Sequence, residues 1–582
     1  MIRTNREVVR LLREYAKLLQ LEEGSAQSFR VRAYDRAIAA VDDLDRDVAT
    51  MSRSDLEKIE GVGPASARKI REYVDEGAIS GLDRLRAKYP APLVELTRIP
   101  GMGPKTVLQV RAALGVENVD DLLAAIASER LRELPGMGAR KEEKIGRAIE
   151  RLGLHGKERR TPIIVAMAVA TEVVDALAAL PETVHVGYCG SLRRFRDTVA
   201  DVDIVAASKS PGPVIDAFVA SPDVAEVIGS GDTKASVLTT RGFQLDLRVV
   251  APSEYGAATL YFTGSKAHNI QLRQRAMDKG WMLNEYALSD AETGGVVASR
   301  TERAVYKALG LSYVPPEIRE GSGEVDAAAS GDLPRLVEER HIKGDLHVHS
   351  SWSGDGRSTL EEMVAAAAHR GLEYVAFTEH AEDLAVNGLS RSEVREEGER
   401  IAALREEYPD LILLHGAELN IGRDGGLDYD DDFLMEFDWC VASVHSHFDL
   451  DEVEQTERVL RAIAHPAVNV IGHLTGRRLG RRPGIDLDVG AVFAAAAATG
   501  TAIEINSHLD RLDAPAELIR RGRDVPDLRF VISTDAHHVS ELDSMTWGVS
   551  NARRGWLERA AVANTWPAAR FLTWAGAKRR QA

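Results

Sequence analysis

Cysteine is scarce in this sequence, and no long, uninterrupted apolar run is present. The two cysteines, Cys189 and Cys440, lie far apart in apolar segments, so we expect no disulfide framework and a reducing environment. The most apolar stretch, Ile163 to Leu180, contains Glu172 and Asp175, which predicts a buried helix and not a membrane span. The N-terminal segment carries charges at helical spacing and lacks the apolar centre of a signal peptide. These absences predict a cytoplasmic protein that makes no membrane contact.

A positive net charge, which would favour binding to nucleic acids, is also missing. The formal net charge of the 582 residues is -17. Counting charged residues gives roughly +4 for residues 1–160, which leaves about −21 for the remainder. Carboxylates that bind cations do not repel DNA as free charges would, because the ion inverts the local field. The total charge therefore neither supports nor excludes DNA, and the length predicts several domains.

A glycine pattern occurs three times in the helix-like N-terminal region. The three pairs are Gly61 and Gly63, Gly101 and Gly103, and Gly136 and Gly138. A Gly-x-Gly turn that opens a helix lets the backbone N–H groups approach a phosphate closely. Three ordinary helix hairpins with glycine turns are the alternative, but the repetition favours contact with a DNA backbone. The repeats resemble helix-hairpin-helix motifs.

Three aspartates lie on segments with the pattern of buried strands. Asp201 and Asp203 are two residues apart, so they project from one face of a strand. Asp246 lies at the same kind of position on a later strand. Three carboxylates predict a site for two hard cations, Mg²⁺ or Mn²⁺, that supports in-line phosphoryl transfer.

A glycine–serine pair precedes these aspartates. Gly190 and Ser191 stand at a predicted helix start, and Arg194 follows, which together predict a cradle for a triphosphate. This arrangement resembles the nucleotidyltransferase fold. The motifs at residues 261–265 and 279–286 follow in order. Residues 1–317 therefore resemble a family X DNA polymerase, the group that contains DNA polymerase beta.

The resemblance implies roles for individual residues. It implies metal ligands at Asp201, Asp203 and Asp246, triphosphate contacts at Gly190, Ser191 and Arg194, a sugar pocket at Tyr261, Phe262 and Gly264, and contacts with the base or template edge at Asn269 and Arg273. Core packing is the alternative for the two aromatic residues. The loop that ends at Lys234 is either a contact with the primer strand or a hairpin turn. Lys266 and Gln244 depart from the beta-type pattern, and these changes bear on nucleotide selectivity and rate.

Lys69, in the first glycine repeat, matches the Schiff-base lysine that removes a 5′-deoxyribose phosphate in this family. A lysine forms a Schiff base only if its pKa is depressed or its amine is desolvated. Simple contact with a backbone phosphate is the alternative role.

The composition changes after residues 318–342, which are rich in Gly, Ala, Asp and Glu and predict a linker. Most of the sixteen histidines come later. Seven short apolar runs with His, Asp or Glu at or near their ends alternate there with helix-like segments. This alternation predicts a barrel of parallel strands whose C-terminal ends meet on one face. Imidazole mixed with carboxylate favours Zn²⁺, Mn²⁺ or Fe²⁺ over Mg²⁺.

Residues 343–582 resemble the polymerase and histidinol phosphatase (PHP) domain, a distorted seven-stranded barrel with a site for up to three metal ions. The resemblance implies nine ligands: His347, His349, Asp355, His380, Glu418, His445, His473, Asp535 and His537. Glu379 stands where Asp is commoner, and we expect it to support the ligands. Glu504 and Asn506 either orient substrate or pack within the barrel, and Arg511 is a candidate for contact with a substrate phosphate.

The predicted fold is multidomain, α+β and α/β. The predicted domains are a helical, lyase-like DNA-binding domain (1–80), helix-hairpin-helix fingers (81–158), a nucleotidyltransferase palm (159–251), a thumb (252–317), the linker (318–342) and the PHP domain (343–582). We expect a monomer that binds gapped or primer-template DNA and deoxynucleoside triphosphates.

The predicted function is short-gap filling in DNA repair, coupled to 3′–5′ exonuclease activity that the second resemblance implies. Abasic-site endonuclease and 3′-phosphatase activities are further implications of that resemblance. Two alternatives remain open: a C-terminal phosphatase for a small molecule, and a DNA-binding scaffold with a weak polymerase. The three aspartates argue against the scaffold.

Overall fold

The computed structural model describes residues 3–25, 28–42, 44, 46–59, 61–99, 101–152, 160–384 and 387–580. The chain divides into two compact units, residues 1–159 with 480–483, and residues 160–479 with 484–582. Among the described helices, none combines the length and the apolar character that a membrane crossing needs. Both cysteines are buried and free, as the sequence predicts.

The first unit is helical around one apolar core. Its helices are α1 (Arg3–Glu23), α2 (Phe29–Asp42), α3 (Arg53–Leu56), α4 (Pro64–Glu76), α5 (Leu82–Lys88), α6 (Ala91–Glu95), α7 (Pro104–Leu114), α8 (Val119–Ala127) and α9 (Gly138–Leu152). Leu12, Ile70, Val107 and Ile145 belong to the same buried cluster. The three glycine repeats come immediately before or at the start of α4, α7 and α9, because proline or glycine there allows the chain to turn into a helix.

The second unit begins with the segment predicted as the palm. Its elements are β1 (Thr161–Pro162), α10 (Ile163–Ala178), β2 (Thr183–Tyr188), α11 (Gly190–Arg193), β3 (Thr198–Val199), β4 (Asp201–Ser208), α12 (Pro211–Val219), β5 (Val224–Ser230), β6 (Lys234–Thr239) and β7 (Gln244–Val250). Five strands form a sheet in the order β2-β4-β7-β6-β5. The apolar residues of α10 and α12 pack on one face of this sheet. Only the β4–β7 pair is parallel, and it aligns Asp203 with Asp246.

The segment predicted as the thumb covers the other face of this sheet. It contains α13 (Tyr255–Thr263), α14 (Lys266–Met277), β8 (Trp281–Leu283), β9 (Leu288–Asp290), β10 (Val296–Ala298) and α15 (Glu302–Ala308). Tyr255, Ala258 and Phe262 of α13 pack against Cys189 and Val205. This contact fixes α13 beside β4, the strand that carries Asp201 and Asp203.

Residues 318–342, which the sequence predicts to be a linker, form an ordered segment. They contain α16 (Glu324–Ser330) and pack on the thumb. The buried Glu324 carboxylate accepts the backbone N–H groups of Gly321 and Ser322 and lies 2.7 Å from His268 Nδ1. A buried carboxylate with three partners therefore orders this segment.

The barrel domain completes the second unit. Its elements are β11 (Gly344–Val348), α17 (Leu360–His369), β12 (Tyr374–His380), α18 (Arg391–Glu407), β13 (Ile412–Asn420), α19 (Asp431–Leu434), β14 (Trp439–Ser443), α20 (Glu452–Ala464), β15 (Val470–Ile471), α21 (Val489–Thr499), β16 (Ala502–Asn506), α22 (Ala516–Arg523), β17 (Phe530–Ser533), α23 (Met545–Arg554) and α24 (Ala568–Ala575). The seven strands β11 to β17 are parallel and follow chain order. A bridge between Val348 and Ala536 nearly closes the barrel. The predicted parallel barrel is confirmed, and its strand ends meet on one face.

Candidate active sites

The three aspartates of the palm lie side by side. Asp201 and Asp203 point from the same face of β4, and Asp246 is the register partner of Asp203 on β7. Burial, together with the charges of Asp201 and Asp246, raises the pKa of Asp203 to about 7. Ser236 Oγ and Gln244 Nε2 donate to the two oxygens of Asp246. Three converging carboxylates, one of which resists ionisation, form a donor set that suits divalent cations with oxygen ligands.

Gly190 makes close contact with these carboxylates possible. Its φ is +61°, and a Cβ built at this position would lie 2.5 Å from Asp203 Oδ2. Arg194 follows, with its Nε 3.1 Å from Glu320 Oε1 and its Nη1 donating to the Thr263 carbonyl. The sequence reasoning missed Glu320, which lies 126 residues from Arg194 along the chain and has no local pattern.

Three of the five predicted sugar and base contacts line one small pocket. Tyr261, Asn269 and Arg273 line it together with residues of β8 and the following turn. Asn269 Nδ2 donates to the Tyr261 carbonyl at 2.7 Å. The Tyr261 and Phe262 rings meet edge to face with centroids 5.3 Å apart, but Tyr261 remains 37% exposed. Tyr261 therefore faces the pocket, while Phe262 packs against the palm core.

Lys234 begins β6 directly after a β5–β6 hairpin turn, so the hairpin alternative describes its backbone. Its side chain is exposed, and its charge acts on Asp203. Lys234 is thus a cation near the carboxylates of the palm.

The glycines of the three repeats adopt the turns that the sequence predicts. Gly61, Gly101 and Gly136 have φ values of +87°, +85° and +77°, which other residues adopt only with strain. Gly63 and Gly103 cap the next helix without a side-chain hydrogen bond, and Gly138 has φ +42°. Each turn therefore leaves helix N–H groups available to a phosphate.

Lys69 is only 5% exposed and lies on the buried side of α4. Its Nζ donates to the Ser80 carbonyl at 2.8 Å and lies 4.2 Å from the centre of the Tyr15 ring. Burial lowers its pKa. A lowered pKa suits a Schiff-base lysine, although the amine already has partners in this structure.

The nine predicted ligands of the barrel domain converge at the C-terminal ends of the strands. Glu418, at the end of β13, is central: its oxygens lie 2.8 Å from His473 Nε2, 2.9 Å from His380 Nδ1, and 3.1 Å from His445 Nε2. His347 Nε2 lies 3.5 Å from Glu418 Oε1. One carboxylate therefore joins four strand ends.

Two further acids join the remaining ligands to this cluster. Asp535 Oδ1 lies 3.4 Å from His349 Nε2, and Asp355 Oδ2 lies 3.4 Å from His380 Nε2 and 3.6 Å from His537 Nε2. Three triplets place their ligand atoms close enough to share an ion: His349, His380 and His537; His347, His349 and Glu418; and His380, Glu418 and His445.

The hydrogen-bonding state of the imidazoles fits bound cations. His347 Nε2, His349 Nε2 and His445 Nε2 are buried and have no hydrogen-bond partner within the described residues. Buried polar atoms are normally satisfied, so several orphaned nitrogens directed at shared carboxylates indicate metal coordination. Burial and the nearby His537 and His380 lower the pKa of His349 to about 3, which keeps it neutral as a ligand must be.

Outer residues hold the ligands in position. Glu504 Oε1 lies 2.7 Å from His347 Nδ1, and Asn420 Oδ1 lies 2.7 Å from His445 Nδ1. Asn506 Nδ2 donates to Asp535 at 3.0 Å. Glu379 accepts hydrogen bonds from the backbone N–H groups of Ser350 and Ser353, so it shapes the loop that leads to Asp355, as an outer support should. The sequence reasoning missed Asn420, although it stands two residues after Glu418 on the same face of β13.

Arg511 also reaches the barrel mouth. Its Nε lies 3.3 Å from Asp535 Oδ2, and its Nη1 is buried without a partner in the described part of the chain. This unpartnered nitrogen supports the candidate role of Arg511 as a contact for a substrate phosphate.

Comparison with known proteins matches four segments of the chain to protein families. These are a helix-hairpin-helix domain (residues 3–79), a SAM-like helix-hairpin-helix tandem (93–151), the DNA polymerase beta thumb (258–320) and the PHP domain (345–508). A curated relative from Bacillus subtilis (strain 168), DNA polymerase/3'-5' exonuclease PolX, is 37% identical over 563 residues, covering 96% of this chain and 97% of the relative. The chain belongs to the family X DNA polymerases that carry a C-terminal PHP domain.

Two further relatives are each similar to part of this polymerase. DNA polymerase lambda of Rattus norvegicus is 26% identical over 325 residues, covering 50% of this chain and 52% of the relative. A probable phosphatase of Syntrophotalea carbinolica is 34% identical over 166 residues, covering 28% of this chain and 65% of the relative. The family resemblance predicted from the motifs is confirmed for both halves.

Proposed function

We propose that this family X polymerase fills short gaps in DNA at the palm and degrades DNA from 3′ ends at the barrel mouth. The observation that carries the proposal is the assembly of two separate clusters of candidate cation ligands in one chain, at Asp203 with Asp246 and around Glu418. The likeness to a relative named DNA polymerase/3'-5' exonuclease supports it. We infer that one chain suffices, since each cluster draws its residues from a single copy.

At the palm, the residues position the reactants. Arg194 and the backbone of Gly190 and Ser191 would hold the incoming triphosphate, which requires Arg194 to exchange Glu320 for a phosphate. Tyr261 and Gly264 would confine the sugar, and Asn269 and Arg273 would meet the base or template edge. Two Mg²⁺ or Mn²⁺ ions, when bound, would lower the pKa of the primer 3′-hydroxyl and neutralise the triphosphate. Asp203 must lose its proton to take part.

At the barrel mouth, the nine ligands would hold up to three divalent ions of Mn²⁺, Zn²⁺ or Fe²⁺. These ions would lower the pKa of an attacking water and offset the charge that develops on the leaving oxygen. Glu504 and Asn420 keep the ligand nitrogens of His347 and His445 directed inward, and Arg511 would orient the scissile phosphate. Abasic-site cleavage and 3′-phosphate removal are the further reactions we assign to this site.

The glycine turns of the N-terminal unit would hold the DNA backbone, and Lys234 would contact the primer strand. Removal of a 5′-deoxyribose phosphate by Lys69 is a separate proposal, supported by the lowered pKa of this lysine. Trapping with borohydride tests it: a covalent adduct with abasic DNA should form with the unaltered chain and be lost in Lys69→Arg.

Separate variants test the two-site proposal on DNA with a 5′-phosphorylated one-nucleotide gap and on single-stranded DNA. Asp203→Ala should abolish gap filling and spare degradation, whereas His347→Ala should do the reverse. The exposed Asp216 and His369 provide matched controls, and their alanine variants should retain both activities. Equal loss of both activities in Asp203→Ala and His347→Ala would contradict the proposal.

A second candidate for the barrel site is hydrolysis of a small phosphate monoester, which the likeness to a probable phosphatase favours. Histidinol phosphate and single-stranded DNA should be compared as substrates of the unaltered chain. A higher kcat/KM for histidinol phosphate would favour this candidate over the exonuclease.

A further inference from the structure

A groove lined with arginines lies within the second unit, and none of its lining residues belongs to either candidate active site. It consists of two pockets of about 690 and 400 Å³ that share Arg303 and Tyr313. The larger pocket lies among the thumb, residues 334–341 and the barrel domain, and the smaller one lies between β2 and the starts of α13 and α15. We call this feature the arginine groove and define it by Arg300, Arg303, Arg335, Arg340 and Arg559.

The charge of the groove is opposite to that of the chain as a whole. Seven arginines and three glutamates line the two pockets, whereas the chain has a net charge of -17. The three glutamates already have partners: Glu302 pairs with Arg193, Glu317 with Arg553, and Glu338 with Arg340.

Four exposed arginines remain in the groove without an ion pair among the described residues: Arg300, Arg303, Arg335 and Arg559. Uncompensated guanidinium groups repel one another. Their collection in one concave surface is therefore best explained by an anionic ligand with several charges.

Aromatic rings also line the groove. Tyr313 lies under Arg303, with the guanidinium carbon 4.3 Å from the ring centre, and it is shared by both pockets. His185 and Tyr255 line the smaller pocket with ring centroids 5.1 Å apart and an interplanar angle of 33°. Cations that follow a backbone, with aromatic faces beside them, are the features of a surface that binds single-stranded nucleic acid.

We propose that the arginine groove binds a single-stranded segment of the DNA on which the enzyme acts. The inference that the strand is DNA rests on the proposed function, and the single-stranded state is inferred from the aromatic rings that lie beside the cations. The groove would hold the unpaired strand beside a gap or end while either active site works.

The test uses the full chain with Arg300, Arg303, Arg335 and Arg559 all changed to Gln. Binding of a fluorescent oligothymidylate of about twenty nucleotides is followed by anisotropy over a range of salt concentrations, with EDTA to prevent degradation. Each phosphate contact contributes about 0.7 to the slope of log K against log salt for a single strand, so the slope should fall by about 2 to 3. In the double variants Arg300→Gln/Arg303→Gln and Arg335→Gln/Arg559→Gln, the slope should fall by about half of this amount. These two variants keep the proposal testable if the quadruple variant does not fold.

A matched control removes the same charge elsewhere on the barrel domain. Arg395, Arg423 and Arg461 are exposed, Arg400 is half-buried, and all four lie outside the groove. Their change to Gln should leave the slope as in the unaltered chain. An equal loss in this control, an unchanged slope in the groove variants, or an equal loss of affinity for duplex DNA would overturn the proposal. So would tighter binding of an oligouridylate, or displacement of the strand by thymidine monophosphate at equal phosphate concentration.

Activity separates this proposal from the proposed function. The groove variants should fill a one-nucleotide gap in fully paired DNA at the normal rate, but their KM should rise about tenfold for a primer with a long unpaired template. If the unaltered chain fills no gap, the proposed function is contradicted. The anisotropy measurement would then still decide whether the arginine groove binds a single strand.

Discussion

Glu504 offers the most informative single perturbation of the barrel site. Its side chain is fully buried. Oε1 lies 2.7 Å from His347 Nδ1, while Oε2 accepts the His473 N–H at 2.6 Å and an Asn506 N–H at 3.1 Å. The carboxylate therefore holds the proton of His347 on Nδ1, which leaves Nε2 free to bind a cation.

The change Glu504→Gln preserves shape but replaces one acceptor with a donor. If the amide oxygen faces His347, the NH₂ group meets the two donors at His473 and Asn506. If the amide is reversed, His347 must move its proton to Nε2 and lose its ligand atom. A buried donor without a partner costs about 1–3 kcal/mol, and loss of such an outer contact lowers metal affinity by about 10- to 100-fold.

The assay is degradation of single-stranded DNA over a series of Mn²⁺ concentrations. The concentration for half-maximal degradation should rise by about 10- to 100-fold in Glu504→Gln, while gap filling stays unchanged. Glu397→Gln is a matched control, because Glu397 is 1% exposed and burial raises its pKa well above the usual range, so we expect removal of its ionisable group to have little effect. An unshifted Mn²⁺ dependence in Glu504→Gln, or an equal shift in Glu397→Gln, would refute the assigned role.

Three further outcomes follow from the palm and its junction with the barrel domain. Gly190→Ala should lower gap filling about a hundredfold and spare degradation, because the added Cβ would lie 2.5 Å from Asp203 Oδ2. The control is Gly212→Ala, whose added Cβ would have no neighbouring atom within 4 Å, and it should leave primer extension unchanged. Because the pKa of Asp203 is raised, this group stabilises the metal-free folded protein fully below about pH 4, and the stabilisation is lost as the pH rises to about 7. The Asp203→Asn variant should lack this dependence when thermal unfolding is followed with EDTA. Asp197→Asn should lower the free energy of unfolding in urea by about 3 kcal/mol, because Arg477 and Arg554 lose their charged partner. A change near zero would contradict this role of Asp197.

The sequence was sufficient to predict features that combine local pattern with chemistry. Each barrel strand is a short buried run, and a polar ligand directly after such a run must lie at the strand end, so the convergence of the nine residues follows from parallel topology. Asp201 and Asp203 were equally accessible to prediction, because alternation on a strand fixes their common face.

Features that depend on contacts between distant segments had no such signal. The composition of residues 318–342 resembles a linker, and only the pairing of Glu324 with His268 reveals an ordered segment. The role of Glu504 stayed open, because a buried acid on a strand has the same pattern whether it packs or supports a ligand. Asn420 was overlooked because an amide is seldom sought as a partner for a metal-binding imidazole.

The junction of the palm and the barrel domain shows why the two activities are better separated by point substitutions than by cutting the chain. Asp197, three residues after Arg194, is clamped by Arg477 and Arg554 of the barrel domain. Arg477 Nε donates in turn to the carbonyl of Arg511, whose side chain contacts Asp535 at the barrel mouth. An unbroken series of contacts thus joins the loop that would bind the triphosphate to a ligand of the second site. Removal of either domain would leave buried charges of the other unpaired, so the palm and the barrel are two sites of one folded unit.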